Sequence, residues 1–345
     1  MPDHLLKPSL MKKADIEQVA RAAGVSTTTV SRVINAVPTV STDNRRRVLD
    51  AIKKLKYRPN PSAQRLAAGR NNTIGIILPR FTDMFHSFYV SELIKGVGTA
   101  TERLKLDLLL HITDGRALVN LSAIEGVLFA DIDGNEDQLD WVMNRDMPCV
   151  VVNHYLHELP VSCVAVNNRA AVESVVDYLV KLGHREIATI TGHLRTPVGI
   201  ERLDGYIKAM NAHRLEVKPH FVERGDYSGE SARAPARRLL THADRPTAIF
   251  AASDAMAVTT IEVALELGIR VPEELSVVGF DDSPIAAFAK VPLTTVWQPL
   301  SQVGEVSVEL LNDLIRGKRR DPAKKLLNTR LVERQSCRQT WLERR

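Results

Sequence analysis

A helical pattern of apolar residues opens the first recognisable unit of the chain. The apolar positions recur at the three- and four-residue spacing of one helix face; they are Ile16, Val19, Ala20 and Ala23. Asp15 is suited to cap the N-terminus, and Gln18 completes a capping box with it. Gly24 permits the left-handed conformation that ends a helix. The pattern therefore predicts a helix over about residues 16–23.

A second helical pattern begins two residues later. Ser26 is suited to cap its N-terminus, and Val30, Val33 and Ile34 form its apolar face. Two helices joined by a tight turn with glycine form a helix-turn-helix. A third helix is predicted from about Thr42. Its inner face consists of Val48, Ala51, Ile52 and Leu55.

The outward face of the second helix carries short hydroxyls and one arginine. Thr27, Thr28 and Ser31 lie near its N-terminus, and Arg32 follows one turn later. Hydroxyls bond phosphates or base edges, and arginine bonds guanine through two acceptors. This pattern predicts a recognition helix for the major groove of DNA. The alternative is a surface helix of an ordinary three-helix bundle.

The segment 59–71 predicts a short hinge. Asn60 is suited to cap a helix, Pro61 fits its first turn, and Gly69 fits the position after its end. Two turns are too short for an isolated helix in water, so we expect the segment to fold only against a partner. DNA is one such partner, because the apolar Leu66 could enter a minor-groove base step. A plain linker between domains is the equal alternative.

Charge separates the same part of the chain from the rest. Residues 1–70 contain 14 lysines and arginines against 5 acidic residues, whereas the remainder contains 32 against 36. A basic N-terminal region on a mildly acidic body is typical of a nucleic-acid-binding headpiece. A solvated basic face is the alternative.

Strand-like and helix-like segments alternate through residues 72–340. The apolar strand candidates are TIGIIL, LDLLLH, GVLFA, CVVVN, EIATIT, TAIFAA, LSVVGF and LNTRLVER. Continuous apolar strands with helices between them predict parallel sheets that are covered on both faces. The segments suffice for two doubly wound lobes, in which ligands bind beyond the carboxyl ends of the strands.

Polar residues that follow these strands are the candidates for a ligand site. Asn153, Ser253 with Asp254, and Asp281 with Asp282 each follow a strand candidate. Other candidates are Arg202, on a helix after the strand ending near residue 191, and Tyr227. Arginine and aspartate grip ligand hydroxyls through charge-assisted bonds, and tyrosine offers a ring face. Each residue also has a structural alternative, such as a helix cap at Asp254 or a core position at Tyr227.

Residues 16–66 resemble the headpiece and hinge of the lactose-repressor (LacI) family. The similar segments read IEQVARAAGVSTTTVSRVIN and VSTDNRRRVLDAIKKLKYRPNPSAQRL. The resemblance implies base reading by Thr27, Thr28 and Arg32, and intercalation of Leu66 at the operator centre. The complete set of DNA-binding residues expected is Ser26, Thr27, Thr28, Thr29, Ser31, Arg32, Asn35, Asn60, Ala63 and Leu66.

The core also resembles the LacI-family effector domain, which is related to periplasmic sugar-binding proteins. The similar segments read RPTAIFAASDAMA, GIRVPEELSVVGFDD and PLTTVWQP. The resemblance implies a homodimer that binds double-stranded operator DNA and a small effector. The effector-contacting positions that it implies are Asn153, Arg202, Tyr227, Ser253, Asp281 and Gln298.

Two departures from the family pattern bear on the core. Only ten residues separate LDLLLHITDG from GVLFAD, where the family has a full helix, so we expect a shortened helix there. Pro79 and Ala130 replace polar ligand contacts of some members, and Thr196 and Val198 replace purine-reading residues of others. A sugar or sugar derivative is therefore the expected effector, rather than a purine.

The predicted architecture is an all-α helix-turn-helix headpiece plus an α/β core of two doubly wound parallel-sheet lobes, as in periplasmic binding proteins. Its parts are a tail (1–11), the headpiece (12–58), the hinge (59–71) and the core (72–340). The N-lobe is expected at about 72–164 and 298–325, and the C-lobe at about 165–297 and 326–340.

Other protein classes fit the sequence less well. The segment GVGTAT at 96–101 lies in a helical stretch and lacks the third glycine of a dinucleotide loop. His154 and His157 lack a third metal ligand, and the three cysteines form no CxxC pair. We therefore expect no enzyme, no cofactor and no metal. An exported solute-binding protein is the remaining alternative. Lys7 and Pro8 interrupt any signal-peptide core, and no apolar run is long enough to cross a membrane. A cytoplasmic protein is therefore expected.

Overall fold

The structure is a computed structural model that describes residues 14–35, 37–57, 71–81, 84–115, 120–156 and 159–340. The chain divides into two compact units, residues 1–72 and residues 73–345. The first unit contains the headpiece, and the second contains the core.

Three helices form the described part of the headpiece. They are α1 (Ile16–Ala23), α2 (Thr27–Ile34) and α3 (Thr42–Lys54). The expected capping box forms at the start of α1, where the Asp15 carboxylate accepts from the Gln18 amide and the Gln18 side chain accepts from the Asp15 amide. Gly24 ends α1 in the left-handed conformation, with φ of 63°. The residues that share the buried core are Val19, Ala20, Ala23, Val30, Val33, Val48 and Ala51. The predicted helix-turn-helix is therefore confirmed.

Twelve strands lie in the described part of the core. They are β1 (Thr73–Pro79), β2 (Asp107–Thr113), β3 (Gly126–Phe129), β4 (Cys149–Val152), β5 (Ser162–Val166), β6 (Ile187–Thr191), β7 (Val222–Arg224), β8 (Ala248–Ala251), β9 (Ser276–Val278), β10 (Thr295–Trp297), β11 (Lys324–Leu327) and β12 (Arg330–Val332). The helices among them are α4 (Phe88–Leu104), α5 (Glu136–Met143), α6 (Asn168–Lys181), α7 (Pro197–Ala212), α8 (Gly229–Thr241), α9 (Asp254–Glu266), α10 (Pro284–Phe288) and α11 (Leu300–Ile315).

The strands form two parallel sheets and one small antiparallel pair. The N-lobe is built on a six-stranded sheet with the order β11-β5-β4-β3-β1-β2, and the C-lobe on a four-stranded sheet with the order β7-β6-β8-β9. All neighbours in both sheets are parallel, whereas β10 and β12 pair antiparallel. The expected α/β architecture with two parallel-sheet lobes is confirmed.

Apolar clusters cover both faces of each sheet. In β1, Ile76 and Leu78 pack into one cluster, while Ile77 packs into the cluster on the opposite face. In β8, Ile249 and Phe250 divide in the same way between the two faces of the C-lobe sheet. Burial on both faces explains the continuous apolar runs of these strands.

The chain passes between the two sheets three times. It leaves the N-lobe sheet after β5, returns after β10 through α11, and leaves again after β11. The lobe boundaries expected near residues 164 and 326 fall inside β5 and β11, so these two crossings come slightly later than expected. The strand candidates did not include β11, which is polar and gains its place by pairing with β5.

Two segments singled out in the sequence have clear structures. The described residues between β2 and β3 contain only a single 3-10 turn, Leu121–Ala123, in agreement with the expected shortening. The segment 96–101 lies inside α4, so it is helix rather than a phosphate-binding loop. Gly96 lies where α4 approaches α11 so closely that a Cβ would clash with the carbonyl of Ser301.

Candidate functional site

The N-terminal half of α2 exposes most of its polar side chains. Thr27, Thr28 and Arg32 are exposed, while Thr29 and Ser31 are half-buried. The Ser26 hydroxyl accepts from the Thr29 amide at 3.2 Å, so it caps the helix. The arrangement leaves Thr27, Thr28 and Arg32 accessible to a groove of DNA.

Two arginines of α3 stabilise the helix-turn-helix. Arg47 Nη2 donates to the carbonyl oxygen of Gly24 at 3.3 Å, and Arg45 Nη2 donates to that of Val37 at 2.9 Å. These bonds fix the turn before α2 and the segment after it. The sequence suggested only a basic outer surface here, because side chain–backbone bonds between distant segments leave no periodic pattern.

Several predicted DNA contacts remain expectations from the sequence. Asn60, Ala63 and Leu66 lie outside the described residues. Asn35 is described and exposed, and its amide approaches the Ser31 hydroxyl at 3.5 Å.

Arg202 lies at the carboxyl ends of the C-lobe strands, next to the crossing that follows β5. It lies on α7 with only 5% of its surface exposed. Its Nη1 donates to the carbonyl oxygen of Ala252 after β8 at 2.6 Å, and its Nε donates to Oδ1 of Asn168, the first residue of α6, at 3.0 Å. Its guanidinium carbon lies 3.7 Å from the ring centroid of Phe280, which follows β9. A buried cation is thus held by hydrogen bonds and a ring face.

Asp281 and Gln298 form the second pair of predicted contacts that the structure brings together. Gln298 Nε2 donates to Asp281 Oδ1 at 2.6 Å. Burial raises the pKa of Asp281 to about 6, although the Arg202 charge and the Gln298 bond lower it. Asp281 and Asp282 have φ of 123° and 56°, a conformation that non-glycine residues rarely adopt. Asp282 is held by an ion pair with Arg334 at 2.7 Å.

Tyr227 and Ser253 are linked through the backbone. The Ser253 hydroxyl donates to the Tyr227 carbonyl oxygen at 2.7 Å, and it also caps α9. The Tyr227 hydroxyl shares a hydrogen bond with Thr196 Oγ1 at 3.0 Å. Its ring is packed so closely against Gly192 that a Cβ there would clash with it. The Arg202 guanidinium lies 5.8 Å from the ring centroid, so Tyr227 belongs to the same cluster.

Asp254 connects the start of α9 to Ser283 and to β10 through side-chain hydrogen bonds. Its Oδ2 accepts from the amide and hydroxyl of Ser283 at 2.7 and 2.9 Å, and its Oδ1 accepts from Thr295. Burial and the neighbouring Asp281 charge raise its pKa to about 7. The helix cap that the sequence offered as an alternative role for Asp254 is formed by Ser253, whose side chain accepts from the Met256 amide.

The N-lobe contributes two polar residues at the carboxyl ends of its strands. Asn153, after β4, is half-buried with φ of 64°, and its amide continues the ladder by donating to the Val164 carbonyl oxygen at 2.8 Å. Asp131, which the sequence prediction missed, follows β3. Burial raises its pKa to about 6. The rule that polar residues after strands line the site would have identified Asp131.

Two further observations concern classes of site. In the described ranges, no three His, Cys, Asp or Glu side chains are grouped so that they could hold a metal ion. No helix of the described chain has the length and apolar character needed to cross a membrane.

Comparison with known proteins establishes the family. Residues 15–60 match the bacterial regulatory proteins of the lacI family, and residues 176–337 match a periplasmic binding protein-like domain. The chain is 34% identical over 337 residues to the HTH-type transcriptional regulator CelR of Thermobifida fusca, covering 94% of this chain and 98% of that one. It is 30% identical over 330 residues to catabolite control protein A of Priestia megaterium, with coverage of 93% and 98%. The chain therefore belongs to the lacI family of bacterial regulatory proteins.

Solved structures have the same architecture. A transcriptional regulator CelR–cellobiose complex is 33% identical, with a TM-score of 0.71 and coverage of 94% of this chain and 99% of that chain. A lac repressor dimer bound to operator and the anti-inducer ONPF is 26% identical, with a TM-score of 0.82 and coverage of 95% and 100%.

Proposed function

We propose that this protein is a sequence-specific DNA-binding transcriptional repressor whose operator affinity is controlled by a small effector. One observation carries the proposal. The same chain contains a helix-turn-helix with an exposed polar face on α2 and a core in which the buried Arg202 is held at the carboxyl ends of the C-lobe strands. The first feature suits DNA, and the second suits a polar ligand at the carboxyl edge of a parallel sheet.

The DNA-binding form is a homodimer on double-stranded operator DNA. The lac repressor relative is a dimer bound to operator, and dimeric helix-turn-helix proteins read two half-sites. Thr27, Thr28 and Arg32 are assigned to base reading because they are exposed near the start of α2. Asn60, Ala63 and Leu66 are assigned to the operator centre from the sequence alone.

The effector is a sugar or sugar derivative bound by the core. Charged and amide side chains with an aromatic ring are the groups that grip sugar hydroxyls and the apolar faces of sugar rings. The CelR relative was solved with cellobiose. The residues assigned to the effector are Asn153, Arg202, Tyr227, Ser253, Asp281 and Gln298.

This function requires neither a catalytic residue nor a cofactor. Its relatives are named as transcriptional regulators. A DNA-binding regulator acts where bacterial DNA lies, so we assign the protein to the cytoplasm and not to an exported solute-binding role.

Selection of bound sequences from random DNA by the full-length protein tests the proposal. We expect a roughly palindromic site whose affinity falls steeply with salt, because each neutralised phosphate contributes about 0.9 to the log–log slope. Six to ten contacts correspond to a loss of about 10³–10⁵ in affinity between roughly 50 and 200 mM salt. Binding that is independent of both sequence and salt is incompatible with this function.

A further inference from the structure

A basic segment of the core, residues 316–325, differs in charge from the rest of the core. It contains six lysines and arginines against one acidic residue, whereas residues 71–345 together contain 32 against 36. Lys318, Arg319, Arg320 and Lys325 are exposed. In the described part of the chain, the side chains of Arg319, Arg320 and Lys325 form no ion pair, and Lys318 lies 3.8 Å from the Asp313 carboxylate.

The end of α11 explains only part of this charge. Arg316 is the C-terminal cap residue of α11, and Lys318 follows two residues later. Cations at these positions complement the partial negative charge of a helix C-terminus. That effect falls off within the last turn, so it does not account for Arg319, Arg320 and Lys325.

Hydrogen bonds fix the basic segment at both ends. The Lys318 amide donates to the Asp313 carbonyl oxygen at 3.0 Å, just after α11. At the other end, the Ala323 amide donates to Ser162 Oγ at 3.1 Å, and the Ala323 carbonyl oxygen accepts from the Cys163 amide at 2.9 Å. The exposed cations between these bonds therefore project from an ordered loop, so little backbone freedom is lost when they bind a partner.

The register of the N-lobe sheet shows which edge the basic segment occupies. Through the parallel pairs of the sheet, Lys324 is level in turn with Cys163, Val151, Phe129 and Ile77. Strand β1 begins four residues before that level, at Thr73, and the hinge (59–71) precedes β1 in the chain. Because β11 and β1 run in the same direction, the residues before Lys324 approach the sheet from the edge at which the hinge is attached. Four strand spacings of about 4.8 Å separate β11 from β1, so this segment lies about 20 Å from the attachment point.

Other cations at this edge are accompanied by carboxylates. Lys105, before β2, is followed two residues later by the exposed Asp107, and Arg145, before β4, is followed by the exposed Asp146. In the basic segment only Asp321 offsets the positive charge. The described part of the edge therefore concentrates its positive charge in residues 316–325.

We propose that the basic segment 316–325 is a second DNA contact, which binds backbone phosphates while the headpiece reads bases. The inference rests on the proposed function and adds a surface of the core to the DNA interface. Cations bind phosphates without regard to base sequence and release condensed counterions, and arginine binds them through paired N–H bonds. An acidic protein would fit the same charge, but DNA is favoured because the DNA-binding part of the chain is attached at this edge.

Equilibrium binding of the full-length protein to duplex DNA at several salt concentrations tests the inference. The double variant Arg319→Gln and Arg320→Gln removes two exposed cations from each protomer and keeps long polar side chains. Loss of four phosphate contacts in the dimer should lower the log–log salt slope by about 3.6 and weaken binding at least tenfold at about 50 mM salt. The loss should be equal on operator and random duplexes, because phosphates carry no sequence information.

Two further double variants separate a phosphate contact from net charge. Arg214 and Arg224 are exposed on the C-lobe, and neither side chain forms an ion pair among the described residues. Arg214→Gln with Arg224→Gln therefore gives the same net charge and should bind DNA like the wild type. Arg319→Lys with Arg320→Lys keeps the charges and should keep the salt slope. Because all four side chains are exposed, the melting temperatures should equal that of the wild type.

The outcomes separate this inference from the proposed function. An unchanged salt slope in Arg319→Gln with Arg320→Gln overturns the inference and is the result expected if the segment binds an acidic protein instead. An equal loss in Arg214→Gln with Arg224→Gln also overturns it, because net charge alone would then explain the effect. If the wild type selects no operator, the proposed function fails, while random duplexes still test the basic segment. If the wild type selects an operator and all variants bind alike, only this inference fails.

Discussion

The guanidinium carbon of Arg202 lies 3.7 Å from the centroid of the Phe280 ring. Phe280 immediately precedes Asp281 in the chain, so the contact places the Arg202 charge near the Asp281 carboxylate. This charge lowers the pKa of Asp281, although burial raises it more, to about 6. The two side chains form no ion pair with each other among the described residues, because the hydrogen bonds of Arg202 go to Asn168 and Ala252. Arg202 and Asp281 are therefore not used up by a bond to each other.

The first prediction concerns this arrangement. We expect Arg202→Lys to weaken effector binding at least tenfold and to abolish the effector's influence on operator affinity, since lysine keeps the charge but loses the planar fork. Allosteric coupling is reciprocal, so the operator should also lose its influence on effector affinity. Calorimetry with the effector and fluorescence anisotropy with operator DNA measure both quantities.

A control on the same helix separates binding from folding. Lys208 is exposed on α7 and paired with Glu173, so Lys208→Ala should change neither quantity. A purely structural role of Arg202 predicts a lower melting temperature with unchanged effector affinity, and that result contradicts the assignment.

Base reading by Arg32 gives the second prediction. Arg32→Ala should reduce operator affinity by about 1–3 kcal/mol and relax sequence preference at one base pair of each half-site. Arg32→Lys keeps the charge but loses the two parallel bonds to guanine, so it should relax the preference with a smaller loss on random DNA.

Competition binding with operator and random duplexes distinguishes these effects. Arg21, which is exposed on α1 and paired with Glu17, provides the control variant Arg21→Ala. Equal losses on operator and random DNA for Arg32→Ala would remove Arg32 from base reading and leave it a phosphate contact.

The third prediction compares two glycines of α4. A Cβ at Gly96 would clash with the Ser301 carbonyl of α11, whereas a Cβ at Gly98 meets nothing within 4 Å. Gly96→Ala should therefore lower the free energy of unfolding by about 1–3 kcal/mol or more, as overpacking does. Gly98→Ala should raise it by about 0.5–1 kcal/mol, because alanine favours the helix. Melting temperatures that shift in the same direction in both variants would show that α4 and α11 do not pack as described.

The fourth prediction concerns the pH dependence of stability. His184 is 2% exposed and bonded to Thr247 and Ser276, and burial lowers its pKa to about 4. The unfolded chain takes up the proton near the ordinary pKa of about 6.5, before the folded protein does. His184 therefore reduces stability as pH falls from about 6.5 to about 4, by about 3 kcal/mol in total.

Denaturation curves of His184→Gln across this pH range check the expectation. The difference in stability between wild type and variant should be constant above pH ~6.5 and should move in favour of the variant below it. His86→Gln is the control, because His86 is exposed. A difference that is constant down to pH ~4 shows that His184 takes no part in this acid sensitivity.

The sequence by itself determined the elements whose signals are local. The capping box at Asp15, the left-handed Gly24 and the apolar faces of the headpiece helices lie within a few residues of one another. The buried strands of the two sheets were visible as continuous apolar runs because both of their faces are covered. The positions of Asn153, Ser253 and Asp281 after such strands were visible for the same reason.

Only the tertiary structure decided which distant segments meet. β5 and β11 pair although about 160 residues separate them, and β11 has too few apolar side chains to be predicted alone. Arg202 bonds Asn168 and Ala252, and Arg47 bonds the turn at Gly24, through single polar contacts that leave no periodic pattern. Local patterns fix elements through backbone propensity and burial, whereas a binding cleft depends on the order of strands and on desolvation, which arise when the chain folds.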